Sequence, residues 1–406
     1  MDSASFSKLR RWLTEAGLAG KSETALLDGF SRRALDTGLP IARAAMIIDT
    51  LHPVHEGRAC LWRREAGQTQ TELVEYGSTS EGEAAENWRR SVFFHLLQTG
   101  GSLFRVRFHA GETADFLNFA RMREEGITDV AAMITRFPRS GAIGEMDCLY
   151  SYWATDHPQG FDDAHVEAIA DLMPMLALAV KCVSLARIAG TLVETYLGRD
   201  AGRRVLEGRI RRGVADRISA VLWYSDLRGF TRITDQSPPE QIIPLLDDCA
   251  EAVISAIYDN GGDVLKLIGD GTLAIFTAAA AEEACGGAIA AHSVMQERVA
   301  QLNQRRARDS LPTTDVYVGL HIGEVFYGNI GSDERLDFTV VGPAVNEVAR
   351  IAAMCRSAER KVLLSQAFAD AMARSERGRL VSVGRYALRG VERPQELFTL
   401  DPFWTM

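Results

Sequence analysis

At 406 residues, 47% apolar and 24% charged, the chain is long enough for two or three domains and has the composition of a globular protein rather than a disordered or fibrous one. A formal net charge of −9 argues against nucleic acid as a partner, because a phosphate backbone calls for clustered cations. Six cysteines, at 60, 148, 182, 249, 285 and 355, show no CxxC and no metal-ligand spacing, so they read as reduced thiols of a cytoplasmic protein.

The opening MDSASFSKLRRW lacks the charged-then-apolar order of a signal peptide. The longest unbroken apolar run, Leu172–Val180, is nine residues long and contains Pro174, against about twenty for a membrane helix, so no membrane span is expected. Residues 1–40 have helical spacing at Leu9, Trp12, Leu13, Leu26, Leu27 and Phe30. Strand-like runs follow at Ala44–Thr50, Ala59–Arg63, Gln70–Tyr76, Leu103–Phe108, Val130–Arg136 and Met146–Thr155, with a helical Glu83–Gln98 among them. From Asp162 to about Leu197 apolar residues recur at helical spacing, with Asp162 or Asp163 as the N-cap.

Helix, mixed strands and a long closing helix make an α+β pattern. Leu149–Val180, where a strand ends in ATDHPQGF before the closing helix, resembles a GAF domain. The resemblance implies a sensor domain over residues 1–182, whose partner is a small molecule, a chromophore or a protein. His52, His55, His95, His109, His157 and His165 are scattered, as structural histidines usually are, and no chromophore motif surrounds Cys148. Residues 183–213 continue as a helical stretch ending in LGRDAGRRVLEGRIRRG, either a solvated linker or an element coupling two domains.

From Ser219 the pattern changes to βα alternation over the remaining domain, 214–406. Ala220–Tyr224 reads as a buried strand and Pro238–Asp259 as an amphipathic helix. Val264–Ile268 and Thr272–Phe276 read as a hairpin around Gly269-Asp270-Gly271. A helix over Ala281–Leu302, strands at Val316–His321, Gly323–Gly328 and Asp337–Val341, and a helix over Ala344–Met354 come next. A strand at Lys361–Leu364 and a helix over Gln366–Ala373 follow.

Asp226 ends an apolar strand just before a glycine-containing turn, Leu227-Arg-Gly-Phe-Thr231, that opens a helix. A carboxylate there suits Mg²⁺, and the turn can offer amides to phosphate oxygens; taken alone, however, Asp226 reads first as a helix cap. Asp270 alone is a hairpin turn residue, but two such Asp residues side by side could share two divalent ions. Lys266 lies in an otherwise apolar strand, where it needs a partner or water. Asn346 and Arg350, four apart, share a helix face.

SDLRGFT, GGDVLKLIGDGTLAIF, VGLHIGEVFYGNIG and DFTVVGPAVNEVARI, in this order, resemble the catalytic domain of class III nucleotide cyclases over roughly 217–400. The resemblance implies a ferredoxin-like βαβ-type fold and an adenylate cyclase making 3′,5′-cyclic AMP and pyrophosphate from ATP. It gives Asp226 and Asp270 as the metal pair for two Mg²⁺ or Mn²⁺ ions. It gives Lys266 and Thr339 as base readers, Asn346 as the residue orienting ribose, and Arg350 as the one meeting charge on the reacting phosphate. It places Leu227, Gly229, Phe230 and Thr231 against the phosphates, and Lys361 and Arg389 against the terminal ones. Thr339 stands where many members have Asp, as in the subclass that includes bicarbonate-responsive cyclases, and Pro343 stands where Asp is common. The resemblance further implies a head-to-tail homodimer in which each site takes Asp226 and Asp270 from one chain and the other residues from its partner. Guanylate cyclases usually have Glu at position 266; a pyrimidine cyclase and a catalytically silent nucleotide sensor are the other readings. Gly261-Gly262-Asp263 is followed by Val264-Leu265 rather than the Glu-Phe of diguanylate cyclases.

Overall fold

Alternating burial turns the first part of the chain into a sheet with two covered faces. The computed structural model describes residues 3–65, 68–138, 143–144, 146–389, 391 and 394–401, and it divides into two units, Met1–Leu192 and Val193–Met406. In the first unit, α1 (Ser3–Leu18) and α2 (Glu23–Asp36) precede β1 (Arg43–Asp49), β2 (Gly57–Glu65) and β3 (Gln68–Tyr76). Next come α3 (Gly82–Arg89), α4 (Val92–Thr99), β4 (Leu103–Arg107), α5 (Phe119–Glu124), β5 (Asp129–Arg136), β6 (Cys148–Thr155) and α6 (Asp163–Leu197). The strands form an antiparallel sheet in the order β3-β2-β1-β6-β5-β4. Strand parity sends Ala44, Met46, Ile48 and Trp153 to one face, where Leu13 of α1, Phe30 of α2 and Leu176 of α6 cover them. Ile47, Val130 and Tyr150 point to the other face, against Phe93 of α4 and Met122 of α5.

Two expectations change here. The helix over Glu83–Gln98 is two helices, because the Ser91 hydroxyl accepts the Phe94 amide at 3.1 Å and starts α4 afresh. The search for an unbroken apolar run also understated α6. Its best stretch has a mean hydropathy of 1.8 and is long and apolar enough to cross a membrane by length and composition. Val166, Ile169, Leu172, Leu176 and Val180 of α6 are buried in the core of the first unit, as in a core helix. The strand-to-helix segment ATDHPQGF is pinned by fully buried Asp129, which accepts from Arg105 Nη2 at 2.8 Å and from the Phe161 amide at 3.0 Å.

The helical stretch expected over 183–213 corresponds to the end of α6 and to α7 (Arg199–Leu206), separated by Gly198 at φ +87°. The second unit continues with β7 (Ala215–Leu227), α8 (Phe230–Gln236), α9 (Ile242–Asp259), β8 (Gly262–Ile268), β9 (Gly271–Phe276) and α10 (Ala281–Arg308). Then come β10 (Val316–Gly331), β11 (Leu336–Val341), α11 (Pro343–Met354), β12 (Val362–Ser365), α12 (Gln366–Ala371), β13 (Leu380–Tyr386) and β14 (Gln395–Leu400). The segment β7-α9-β8-β9-α10-β10 has the spatial order β10-β7-β9-β8, the split βαββαβ arrangement. β12, β14 and β13 extend the sheet past β10, and β11 pairs with the far part of β10. The runs expected at Val316–His321 and Gly323–Gly328 are one strand, paired along its length with β7.

Every residue of β9 is buried, and Trp223, Ala274 and Phe276 pack against α9 and α10 on one face. On the other face Leu222, Leu273 and Ile275 meet α7, α11 and β11. Gly319 permits the approach of α11, since a Cβ there would lie 2.6 Å from the Val348 carbonyl oxygen. α7 is fixed to β8 at its first turn: the Asp263 carboxylate accepts the Asp200 amide at 3.4 Å, and the Arg199 guanidinium lies 3.9 Å from the Tyr258 ring centre. Burial pushes the Asp263 carboxyl up to about 6.

Candidate active site

β7 ends in Ser225-Asp226-Leu227, and β9 pairs with it through Ser225 opposite Thr272. That register sets Asp270, in the β8–β9 turn, against Asp226. Burial, and then the charge of Asp270, push the Asp226 carboxyl up to about 6. Among the described residues, neither carboxylate has an ion-pair partner. Two adjoining acids without a cation are costly unless something positive joins them, so the pair suits divalent metal completed by water and phosphate oxygens.

The turn beside them is built from the same strand end. Leu227 is buried, Gly229 takes a left-handed φ of +71°, and Phe230 rests on the core while Thr231 is exposed. Gly229 caps the seven-residue α8, whose first amides face out of the helix. Lys361 belongs to this end as well. Its Nζ is 2.8 Å from Asp315, which also lies 3.4 Å from Arg228, and β12 pairs with β10 beside Ser225. Arg389 is exposed, beyond β13.

The remaining residues form a second group. Lys266 on β8 is ion-paired with Asp337 on β11. Asp337 and Thr339 are two apart on one strand, so they share a face; Thr339 is buried and Asp337 is exposed. α11 leaves β11 after Gly342 and carries exposed Asn346 and half-buried Arg350 one turn apart. Next to Asn346, Glu347 accepts from Gln395 Nε2 at 3.0 Å and lies 3.6 Å from His321 Nε2, with the other His321 nitrogen 2.8 Å from Ser365. Burial holds His321 below the usual histidine range, so the imidazole is a neutral part of this brace.

In one chain the two groups are offset along β7 and β10. Asp226 is opposite Tyr317, whereas Thr339 is opposite Gly328, which is opposite Ala215 at the start of β7. No hydrogen bond or ion pair joins the groups among the described residues. Sequence reasoning missed Asp337 and Asp315, the partners of Lys266 and Lys361. Asp337 lies inside the quoted DFT motif, and only its ion pair with Lys266 of β8 gives it a role.

Residues 215–402 match the family model described as the adenylate and guanylate cyclase catalytic domain. An uncharacterised protein of Mycobacterium tuberculosis is 32% identical over 212 residues, which are 50% of this chain and 37% of that protein. An adenylate cyclase of Anabaena cylindrica is 30% identical over 158 residues, 38% of this chain and 31% of that one. The chain thus spans about a third of the length of the curated relatives it matches. Among solved structures, the adenylyl cyclase CyaB of P. aeruginosa superposes with a TM-score of 0.42 at 22% identity, over 46% of this chain and 95% of that one. The guanylyl cyclase Cya2 does so with 0.41 at 27%, over 47% and 96%.

Proposed function

We propose that this chain, whose residues 215–402 are a catalytic domain of the adenylate and guanylate cyclase family, is an adenylate cyclase acting as a homodimer. The observation that carries the reading is the pairing of Asp226 with Asp270, without a cation, beside the Leu227–Thr231 turn. Mg²⁺ or Mn²⁺, two per site and held by Asp226 and Asp270, would supply activation of a hydroxyl and neutralisation of triphosphate charge. The 3′-oxygen of ATP attacks the α-phosphorus, the bond from that phosphorus to the α,β-bridging oxygen breaks, the hydroxyl proton passes to water and pyrophosphate leaves. The Leu227, Gly229, Phe230 and Thr231 turn orients the phosphates by its amides. Lys361 and Arg389 would meet the terminal phosphates, Lys361 by exchanging Asp315 for them.

Lys266 donates to the purine ring, and the Thr339 hydroxyl accepts from the 6-amino group. Asn346 orients the ribose, and Arg350 meets charge that grows on the reacting phosphate. Because Thr339 is offset from the carboxylates, with α11 and its Asn346 and Arg350 following that strand and Lys266 ion-paired to Asp337 beside it, each site draws Asp226 and Asp270 from one chain and Lys266, Thr339, Asn346 and Arg350 from its partner. The choice of ATP over GTP or a pyrimidine rests on Lys266, with support from the match to the Anabaena cylindrica adenylate cyclase. The first unit fits a GAF-like sensor, supported by its six-stranded antiparallel sheet with helices on both faces.

Purified chain incubated with each of the four nucleoside triphosphates and Mg²⁺ or Mn²⁺ is expected to form cyclic AMP fastest. Faster cyclisation of GTP or CTP would overturn the base assignment. Nucleotide binding without any metal-dependent product would make the domain a silent sensor.

A further inference from the structure

The first unit has a half-open cavity of about 1060 Å³ between β1, β2 and β6 on one side and α3, α4 and α5 on the other. Its floor is built in rungs. Arg43 of β1 stands opposite Arg63 of β2, Ile47 stands between Ala59 and Tyr150, and Asp49 closes the strand. Arg43, Ile47 and Asp49 all line the cavity, as strand parity requires. The middle is hollow because Ala59 offers only a methyl group where Trp88 and Phe93 stand across from the floor.

The two ends differ in charge. At one, Arg43, Arg63 and Arg121 face two carboxylates among the described residues, Glu125, which is ion-paired with Arg43 and 3.7 Å from Arg121, and Glu65, 3.5 Å from Arg63. The hydroxyl of Tyr152 shares this end, with the three arginines and Glu125 as its charged neighbours. At the other, Asp49 accepts from Tyr76 at 2.9 Å and Glu56 accepts from the Thr79 amide at 2.6 Å. Six residue steps along β1 separate Arg43 from Asp49, a span of about 20 Å. Volume on this scale suits an organic molecule of cofactor size rather than a single ion.

We propose that this cavity binds a planar aromatic small molecule with an anionic group at the Arg43–Arg63–Arg121 end and a hydrogen-bond donor at the Asp49–Glu56 end. The aromatic walls give the contact area, the excess guanidinium charge fixes the anion, and the acid pair sets the direction. The site is independent of the nucleotide chemistry of the second unit.

The test uses the full chain and two probes: anthracene-2-sulfonate, a planar aromatic anion, and proflavine, a planar aromatic cation. The sulfonate is expected to bind one site per chain, at least about ten-fold tighter than proflavine. Arg63→Gln with Arg121→Gln weakens it about ten-fold, and Ala59→Trp, which fills the hollow, abolishes it. The arginine variant leaves the Arg43–Glu125 pair in place, so it decides the matter if the tryptophan variant does not fold. Proflavine binding as tightly, sulfonate affinity unchanged by the arginine substitutions, or no saturable sulfonate binding would each overturn the proposal.

Discussion

Mixing two inactive variants tests the division of the active site between chains. Asp226→Ala removes one of the paired carboxylates, and Arg350→Ala removes a cation on the α11 face, in the other register group. Loss of Arg350 is expected to lower kcat by ~10²–10³ with little change in KM, because the contact strengthens only as charge develops. Loss of Asp226 leaves Asp270 alone and removes metal-dependent turnover altogether. Each parent therefore stays near or below about a hundredth of wild-type activity. When equal amounts re-pair at random, half of the dimers hold one chain of each kind. Such a dimer has one site built from an intact Asp226 and an intact Arg350, and one site lacking both. The mixture is then expected to recover about a quarter of the wild-type rate per chain. Pyrophosphate release measures the rate, and two affinity tags purified in sequence establish that mixed dimers formed. Mixed dimers no more active than the parents would refute the shared site and require all six residues to act within one chain.

Four further outcomes rest on particular residues. Lys266→Glu is expected to lower kcat/KM for ATP at least about ten-fold while metal-triphosphate binding persists, and an unchanged ATP:GTP ratio would remove Lys266 from base reading. Asp263 has its acidity weakened to about 6 in the fold, so the folded state holds its proton more tightly than the unfolded one. Its cost to stability is absent below the ordinary carboxylate range near 4 and complete above about 6, up to ~3 kcal/mol. Asp263→Asn should therefore raise the melting temperature at pH 7.5 more than at pH 4.5, and an equal rise at both would exclude burial of charge as the cause. Gly198→Ala would put a Cβ 2.3 Å from the Val264 carbonyl oxygen at positive φ, costing ~1–3 kcal/mol and lifting α7 from β8. Insertions of one to three residues beside Gly198 should change basal cyclase activity in a length-dependent way, and a flat response would make the segment a tether.

The parts of the fold visible beforehand are those whose signal is local. β9, TLAIF between a turn and a polar loop, is buried at every position, and α9 shows its apolar stripe at the expected spacing. The break at Ser91 was also local: a serine before Val92-Phe93-Phe94 is a capping signal that helical spacing alone overrode. α6 shows only a short unbroken apolar run because Asp171 and Lys181 bound Leu172–Val180, yet its mean hydropathy stays high. β13 and β14 gave little warning, since β13 is a mostly exposed edge strand with mixed polarity. In the site, Asp226 and Asp270 were marked by strand ends and motif. The ion pair of Lys266 with Asp337 joins positions 71 residues apart, and no spacing rule reaches that far. The same holds for Asp315 between Arg228 and Lys361, which depends on β10 starting beside the end of β7.

The offset of Asp226 and Thr339 along β7 and β10 has a genetic meaning on the shared-site reading. A chain injured only at its carboxylate end still lends a sound α11 to its partner, so an equal mixture with intact chains keeps about half of full activity, and the lesion is not dominant. A chain injured at both ends spoils both sites of every dimer it enters, and the same mixture falls to about a quarter. Two lesions in one chain thus interfere with the intact copy, whereas the same two lesions on separate chains rescue each other.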